Sequence, residues 1–555
     1  MRETGAQYLI RFLESKNVTC IAGMPGGSIL PVYDALYGSR IQHIQARHEQ
    51  GACFIAGGIA RASGKTGVVF ATSGPGAANL LTGLADAKMD SVPLLAVTGQ
   101  VPRALIGTDA FQELDICSMS IPATKARFFI DSPESLARNL PIAFHTASTP
   151  RFGPVLIDIP KDIQSELYEY PDLFPNPQTE LRERSLPDLR EWISLLENSE
   201  KPILYLGGGC IASNASEEII QLSEKNGIPA VSSLNGLGVF PAFHRNFLGM
   251  LGMHGLPFVN YALEEADLLF ALGTRFDDRA TGKLSEFCPN AKILHIDIDR
   301  RELNRLKKAD LSAAFDIKEF LKILLPHISE RSRDVWNFRI SENRKNSFSA
   351  AETVYNYDNP SFYIRKAADC MNPYDITVTD VGQHQMWTAQ VYPFQKPRTF
   401  LCSGGLGTMG FGLPSAIGAS LAFPEKRVLC ISGDGSILLN IQELATLREL
   451  NLNVKILILN NSSLGMVRQQ QELFYGSRFS ESGFISSPDF AMLAASFGIP
   501  GFRLDDRRES DSLFEIFFES AGPALLEIPI QESAKVFPMV PPGKANREMI
   551  LSSEG

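Results

Sequence analysis

The chain's 555 residues exceed what one hydrophobic core accommodates, so about three domains are expected. A net charge of −10, from 52 basic and 62 acidic residues, argues against nucleic acid or an anionic membrane surface as the main partner and leaves small ligands. Hydrophobic residues make up 44% of the chain, yet no uncharged apolar stretch is long enough to cross a bilayer. The 8 cysteines show neither CxxC nor zinc spacing, which fits buried thiols in a reducing compartment.

Met1 leads directly into an amphipathic helix, Ala6 to Leu13, without a secretory or transit segment, so a cytoplasmic protein is expected. Three segments then alternate strand-like and helix-like patterns. They predict an α/β protein with three doubly wound parallel-sheet domains at 1–165, 188–328 and 360–535, and a tail at 536–555. A proline-bearing acidic stretch, 164–187, and a charged one, 329–360, separate the domains.

In the first domain, residues 41–58 (IQHIQARHEQGACFIAGG) read as a short strand and then a helix of small and apolar residues. Glu49 stands at that helix start, where the dipole alone would favour a carboxylate. Four further blocks mark the domain: 23–36 (GMPGGSILPVYDAL), 71–79 (ATSGPGAAN), 107–115 (GTDAFQELD) and 154–162 (PVLIDIPKD).

The middle domain opens with a strand running into glycines, 203–209 (ILYLGGG), a nucleotide-binding shape of little specificity by itself. The blocks 249–255 (GMLGMHG), 272–279 (LGTRFDDR) and 294–299 (LHIDID) sharpen it. Acidic residues after strands can hold ribose hydroxyls while arginines hold a pyrophosphate, so a dinucleotide fits across them. Spacing alone equally allows Arg275 and Arg279 to be surface partners of Asp277 and Asp278.

The third domain carries the most specific signal. The run RVLCIS, 427–432, is a buried strand; Gly433, Asp434, Gly435 and Ser436 form a tight turn; Ile441, Leu444, Leu447 and Leu450 have helical spacing; and 454–459 is a second strand. Asp434 and Asn461 thereby sit at the carboxyl ends of two parallel strands as hard oxygen ligands, and the glycines let backbone N–H groups approach an anion. That arrangement suits Mg²⁺ bridging a diphosphate. Upstream lie 379–384 (TDVGQH) and the glycine-rich 403–414 (SGGLGTMGFGLP).

The GDG turn followed in register by Asn460-Asn461 resembles the signature of thiamin-diphosphate (ThDP) enzymes, and RHEQGA at 47–52 resembles the acetohydroxyacid synthase branch of that family, as do the other blocks over nearly the full length. The resemblance implies ThDP, Mg²⁺ and FAD as cofactors. It implies Glu49 as the carboxyl that hydrogen-bonds the aminopyrimidine N1′; Gly382, Gln383, His384, Gly433, Asp434, Gly435, Ser436 and Asn461 at the ThDP diphosphate; and Asp434, Asn461 and Ser463 at the metal. Met409 matches the residue over which the cofactor bends. FAD falls to Arg151, Gly207, Gly209, His254, Gly273, Arg275, Asp277, Asp297 and Asp316.

Phe111 and Gln112 are implied to face the reacting carbons, Lys161 is the matching active-site lysine, and Arg279 meets the second keto acid's carboxylate. The tail 536–550 (VFPMVPPGKANREMI) resembles the segment that closes over the site. Gln470 stands where most biosynthetic members carry tryptophan, which implies a weak acceptor preference. Other departures are Phe152 in place of proline, Asn235 in place of methionine, and no histidine in 124–127 (TKAR).

The implied reaction decarboxylates pyruvate on ThDP and condenses the hydroxyethyl carbanion with pyruvate or 2-ketobutyrate, giving 2-acetolactate or 2-aceto-2-hydroxybutyrate, the first common step of branched-chain amino-acid biosynthesis. Glu49 of one subunit is expected to meet the Asp434 cradle of another in a homodimer or homotetramer; a small regulatory subunit is left open, and neither nucleic acid nor membrane is expected. The rivals are a pyruvate-oxidase-like flavin oxidoreductase and a catalytically silent regulatory homologue. The RFDDR, FQE and tail blocks oppose the first, and the presence of Glu49, Asp434 and Asn461 opposes the second.

Overall fold

In a computed structural model of the chain, residues 2–174, 187–347 and 356–552 are described. They form three six-stranded parallel sheets and a two-stranded antiparallel pair, Arg2–Thr4 with Leu167–Glu169. Both faces of each parallel sheet are covered by helices, so strands such as Leu94–Gln100 and Val454–Asn460 are buried along their whole length and read as apolar runs rather than alternating ones.

Numbered within its own domain, the first sheet has strand order 2-1-3-4-6-5, and the third has the same order. The two outer domains therefore share one topology, which the sequence only hints at. The middle sheet runs 3-2-1-4-5-6, the order of dinucleotide-binding folds. In such sheets ligands lie beyond the carboxyl ends of the strands where the order reverses. Those reversals fall between Cys20–Gly23 and Gly67–Ala71, between Pro202–Leu206 and Leu268–Leu272, and between Ile376–Thr379 and Val428–Gly433.

The outer domains share one apolar core within the chain: Ala52, Phe54 and Ile55 cluster with Phe411, Ala416 and Ile417. Its seam is the contact of helix Glu49–Ser63 with helix Gly412–Ala422. Glycines make the approach possible. A Cβ on Gly58 would stand 2.3 Å from the Ser415 carbonyl oxygen, and one on Gly418 would stand 2.1 Å from that of Ile55.

The two polar separators are more structured than composition suggests, although 175–186 and 348–355 lie outside the described residues. Within the charged stretch, Asp334–Ser347 is a helix whose Trp336 and Ile340, one turn apart, are buried with Phe258 and Phe287 of the middle domain. Two apolar side chains on one face suffice, and the surrounding charges mask them. Arg333 anchors its start by donating to the Leu196 carbonyl at 2.8 Å and that of Asn226 at 2.9 Å. The GDG segment is likewise tighter than a turn, because Asp434–Ile437 is a short helix.

Candidate active site

A cavity of about 620 Å³ lies where the reversal points of the middle and third sheets face each other. Its third-domain wall contains Gly382, Gln383, His384, Met409, Gly433, Asp434, Gly435, Ser436, Asn461, Ser463 and Gln470. Its middle-domain wall contains Gly207, Gly209, His254, Gly273, Arg275, Asp277, Arg279, Asp297 and Asp316, and Arg151 of the first domain closes one side. The structure thus brings together every residue assigned to the diphosphate, the metal and the dinucleotide.

The cradle is built by adjacent strand ends. Gly433 pairs with Leu459 across the sheet, which brings Asp434 beside Asn461. Asp434 Oδ2 and Ser463 Oγ are buried without a hydrogen-bond partner, and burial pushes the Asp434 carboxyl up to about 6. An ionised carboxylate there lacks a counter-charge, so the donor set fits a hard cation. Among the described residues no three His, Cys, Asp or Glu side chains cluster as a metal site, so amide, hydroxyl or backbone oxygens and an anionic ligand would have to complete a cation's shell.

His384 is fully buried and held neutral, down to about 3, by desolvation; its Nε2 has no partner. A Cβ at position 433 would stand 3.0 Å from His384 Nδ1, a tight contact. Asp380, ahead of this loop, accepts from the backbone N–H of Gly410 at 2.9 Å and of Gly412 at 3.1 Å, fixing the segment that carries Met409.

On the dinucleotide side, glycines again permit close backbone approach: a Cβ on Gly207 would stand 2.1 Å from the Gly273 carbonyl oxygen. Asp297 ends its strand and is pushed up to about 6 by burial. His254 Nδ1 donates to the Pro538 carbonyl of the tail at 3.0 Å, and burial lowers the ring to about 4. Other assigned residues have partners within the chain. Asp277 and Asp316 cap helix N-termini, Arg275 donates to the Met89 carbonyl at 2.8 Å, and Arg151 pairs with Glu302 at 2.5 Å. Arg279 is exposed, 3.7 Å from Asp278. The departure at Asn235 is accommodated by polar partners that a methionine would lack: its Nδ2 donates to Asp90 Oδ1 at 2.8 Å, and its Oδ1 accepts from the Cys402 thiol at 3.4 Å.

Four predicted residues lie outside this cavity, all in the first domain: Glu49, Phe111, Gln112 and Lys161. Glu49 begins its helix and accepts from Asn79 Nδ2 at 3.0 Å, with Gly76 close by. Gln112, at a φ of +61, lies against Gly74, two residues before the Gly76 that stands near Glu49. Phe111 is 88% exposed, and Lys161 opens helix Lys161–Ser165.

Sequence reasoning missed the residues that hold these in place. Asn79 and Asp380 lie inside the 71–79 and 379–384 blocks but carry no separate signature. Buried Glu443 of the third domain accepts the Arg47 N–H at 2.9 Å, across 396 residues.

Three domain families match the chain: the thiamine pyrophosphate enzyme N-terminal TPP binding domain at 3–119, the central domain at 189–324 and the C-terminal TPP binding domain at 380–528. Acetolactate synthase isozyme 1 large subunit of Escherichia coli is 46% identical over 99% of this chain and 98% of its own length, and isozyme 2 large subunit of that organism is 44% identical over 98% and 99%. A probable acetolactate synthase large subunit of Methanocaldococcus jannaschii is 44% identical over 97% and 94%. With matches of this depth along its whole length, the chain belongs to the acetolactate synthase large-subunit family of thiamine pyrophosphate enzymes.

Proposed function

We propose that the cavity makes 2-acetolactate from two pyruvates, or 2-aceto-2-hydroxybutyrate from pyruvate and 2-ketobutyrate, with ThDP and Mg²⁺ on its third-domain wall and FAD on its middle-domain wall. The observation that carries this is the pair of orphaned buried oxygens, Asp434 Oδ2 and Ser463 Oγ, at a reversal point where a diphosphate-bridging cation would satisfy them. When bound, ThDP supplies a nucleophilic carbon and an electron sink, which lets a 2-keto acid lose CO₂ and join a second carbonyl.

The chain's own residues supply position and charge. Asp434, Asn461 and Ser463 would hold the cation; Gly382, Gln383, His384, Gly433, Gly435 and Ser436 would seat the diphosphate; Met409 would pack against the cofactor. The Glu49 carboxyl would hold a proton for the aminopyrimidine N1′. Phe111, Gln112 and Lys161 surround the reacting carbons, and the guanidinium of Arg279 meets the acceptor's carboxylate. Arg151, Gly207, Gly209, His254, Gly273, Arg275, Asp277, Asp297 and Asp316 line the flavin's seat.

The homodimer is the smallest active unit, with Glu49 delivered to the partner's cradle. Its support is that the four first-domain residues lie outside their own chain's cavity while Phe111 stands exposed. The relatives are named as large subunits, which supports a separate small regulatory subunit as partner. No helix among the described residues is long and apolar enough to cross a membrane.

Product identity tests the proposal. Pyruvate with ThDP, Mg²⁺ and FAD should give acetolactate and CO₂ with the flavin staying oxidised under anaerobic conditions. Stoichiometric flavin bleaching with acetate as product would instead mark an oxidoreductase.

A further inference from the structure

Asn461 is joined to the tail by an unbroken line of buried side-chain amides. Its Nδ2 donates to Gln383 Oε1 at 3.2 Å; Gln383 Nε2 donates to Gln469 Oε1 at 3.0 Å and to the Ala534 carbonyl at 2.8 Å. Gln469 Oε1 also accepts from the Val536 N–H at 2.9 Å, and its Nε2 donates to the Val536 carbonyl at 2.8 Å. All three amides are at least nine-tenths buried.

Each amide has a donor end and an acceptor end, and the backbone fixes which is which. Val536 presents both an N–H and a C=O, so Gln469 can be set only one way round. The Ala534 carbonyl requires the NH₂ of Gln383. Gln383 then offers its oxygen to Asn461, which must answer with Nδ2. Asn461 Oδ1 is left for the Ser463 N–H at 3.2 Å and for the cradle. Reversing any amide would set NH₂ against NH₂ or oxygen against oxygen at a buried joint.

The first joint is sterically exclusive too. A Cβ on Gly465 would stand 2.1 Å from Gln383 Oε1 and 2.5 Å from Asn461 Nδ2, so glycine at 465 keeps the path open.

We propose that Gln469 is a positioning residue: through Gln383 it makes the docked tail hold the oxygen of Asn461 toward the cation, so that cation binding and tail docking stabilise each other. The inference rests on the assignment of Asn461 to the cation. Coupling of this kind is reciprocal: whatever factor the docked tail adds to cation affinity, the bound cation adds to tail docking.

The test measures both halves. Calorimetric titration of the parent with Mg²⁺ in the presence of ThDP establishes the site, and hydrogen exchange of residues 534–550 follows the tail with and without Mg²⁺ and ThDP. Parent tail amides are expected to gain protection on loading. In Gln469→Leu, Mg²⁺ affinity should fall by about tenfold and the loaded tail should lose the added protection. Gly465→Ala breaks the other joint and should give both defects with the tail's own contacts to Gln469 intact.

Absence of Mg²⁺ and ThDP binding in the parent would overturn the cation assignment itself. Normal binding in the parent with unchanged affinity, or unchanged loading-dependent protection, in either folded variant would overturn the relay alone.

Discussion

Asn79 donates its side-chain amide to Glu49 Oε2 at 3.0 Å, an interaction that orients the carboxylate at the start of helix Glu49–Ser63. Glu49→Gln keeps the size of the side chain but cannot share a proton with the aminopyrimidine N1′. The variant should fold and bind ThDP while losing activity by ~10²–10⁴-fold, the range for a missing general acid–base group. Exchange of the C2 proton of bound ThDP is the measurement. An unchanged exchange rate would remove Glu49 from this role.

Asp434 is pushed up to about 6 by burial when no cation is present, and a cation must displace that proton. Mg²⁺ affinity is therefore expected to fall as pH drops below about 6. Asp434→Ala, which removes the anionic ligand, should abolish Mg²⁺-dependent ThDP binding within the range of a calorimetric titration. Parent-like affinity in the variant would place the cation elsewhere.

Gln470 lines the cavity from helix Gly465–Phe474. A tryptophan face there would contact the extra methyl of 2-ketobutyrate, and one methylene in an apolar pocket is worth ~1–3 kcal/mol of discrimination. The parent should form acetolactate readily when both acceptors compete, and Gln470→Trp should shift products toward acetohydroxybutyrate by roughly tenfold. A strong preference for 2-ketobutyrate in the parent, or an unmoved ratio in the variant, would assign acceptor choice to other residues.

Asp158 is buried in strand Pro154–Pro160, receives Thr98 Oγ1 at 2.7 Å and Gln100 Nε2 at 3.0 Å, and is pushed up to about 7 by desolvation. A carboxyl raised on folding binds more protons folded than unfolded, so stability falls as pH rises from about 4 to about 7 and is flat above. Asp158→Asn removes that dependence. Its stability relative to the parent should increase across that window, by up to ~4 kcal/mol in total. Denaturant midpoints at pH 5 and pH 8 test the slope.

Gly418→Ala sets a Cβ against the Ile55 carbonyl oxygen, which belongs to a helix backbone and cannot turn away as a side chain would. Overpacking of this kind costs ~1–3 kcal/mol, and a lower melting temperature should follow. A neutral result would mean that the two helices separate easily.

Much of the site was legible because its chemistry sits at strand ends. The GDG turn and Asn461 belong to one βαβ unit, so local pattern places them together, and the glycines of the middle domain follow strands in the same way. Glu443 and Gln469 were not legible, because their significance lies in partners far along the chain: Arg47 is 396 residues from Glu443, and Val536 is 67 from Gln469. Nor does periodicity reveal Asp334–Ser347, where two buried side chains sit among charges.

The outer domains have matching strand orders, with Glu49 starting a helix in one and Asp434 starting a helix in the other. Two such chains exchanging halves across a twofold axis would form two complete sites, neither of which lies within a single chain. Defects on opposite halves are then complementary. Subunits of Glu49→Gln and Asp434→Ala, each nearly inactive alone, should on random mixing recover ~25% of parental activity, because half the dimers are hybrids with one intact site of two. Sites completed within a single chain would recover none.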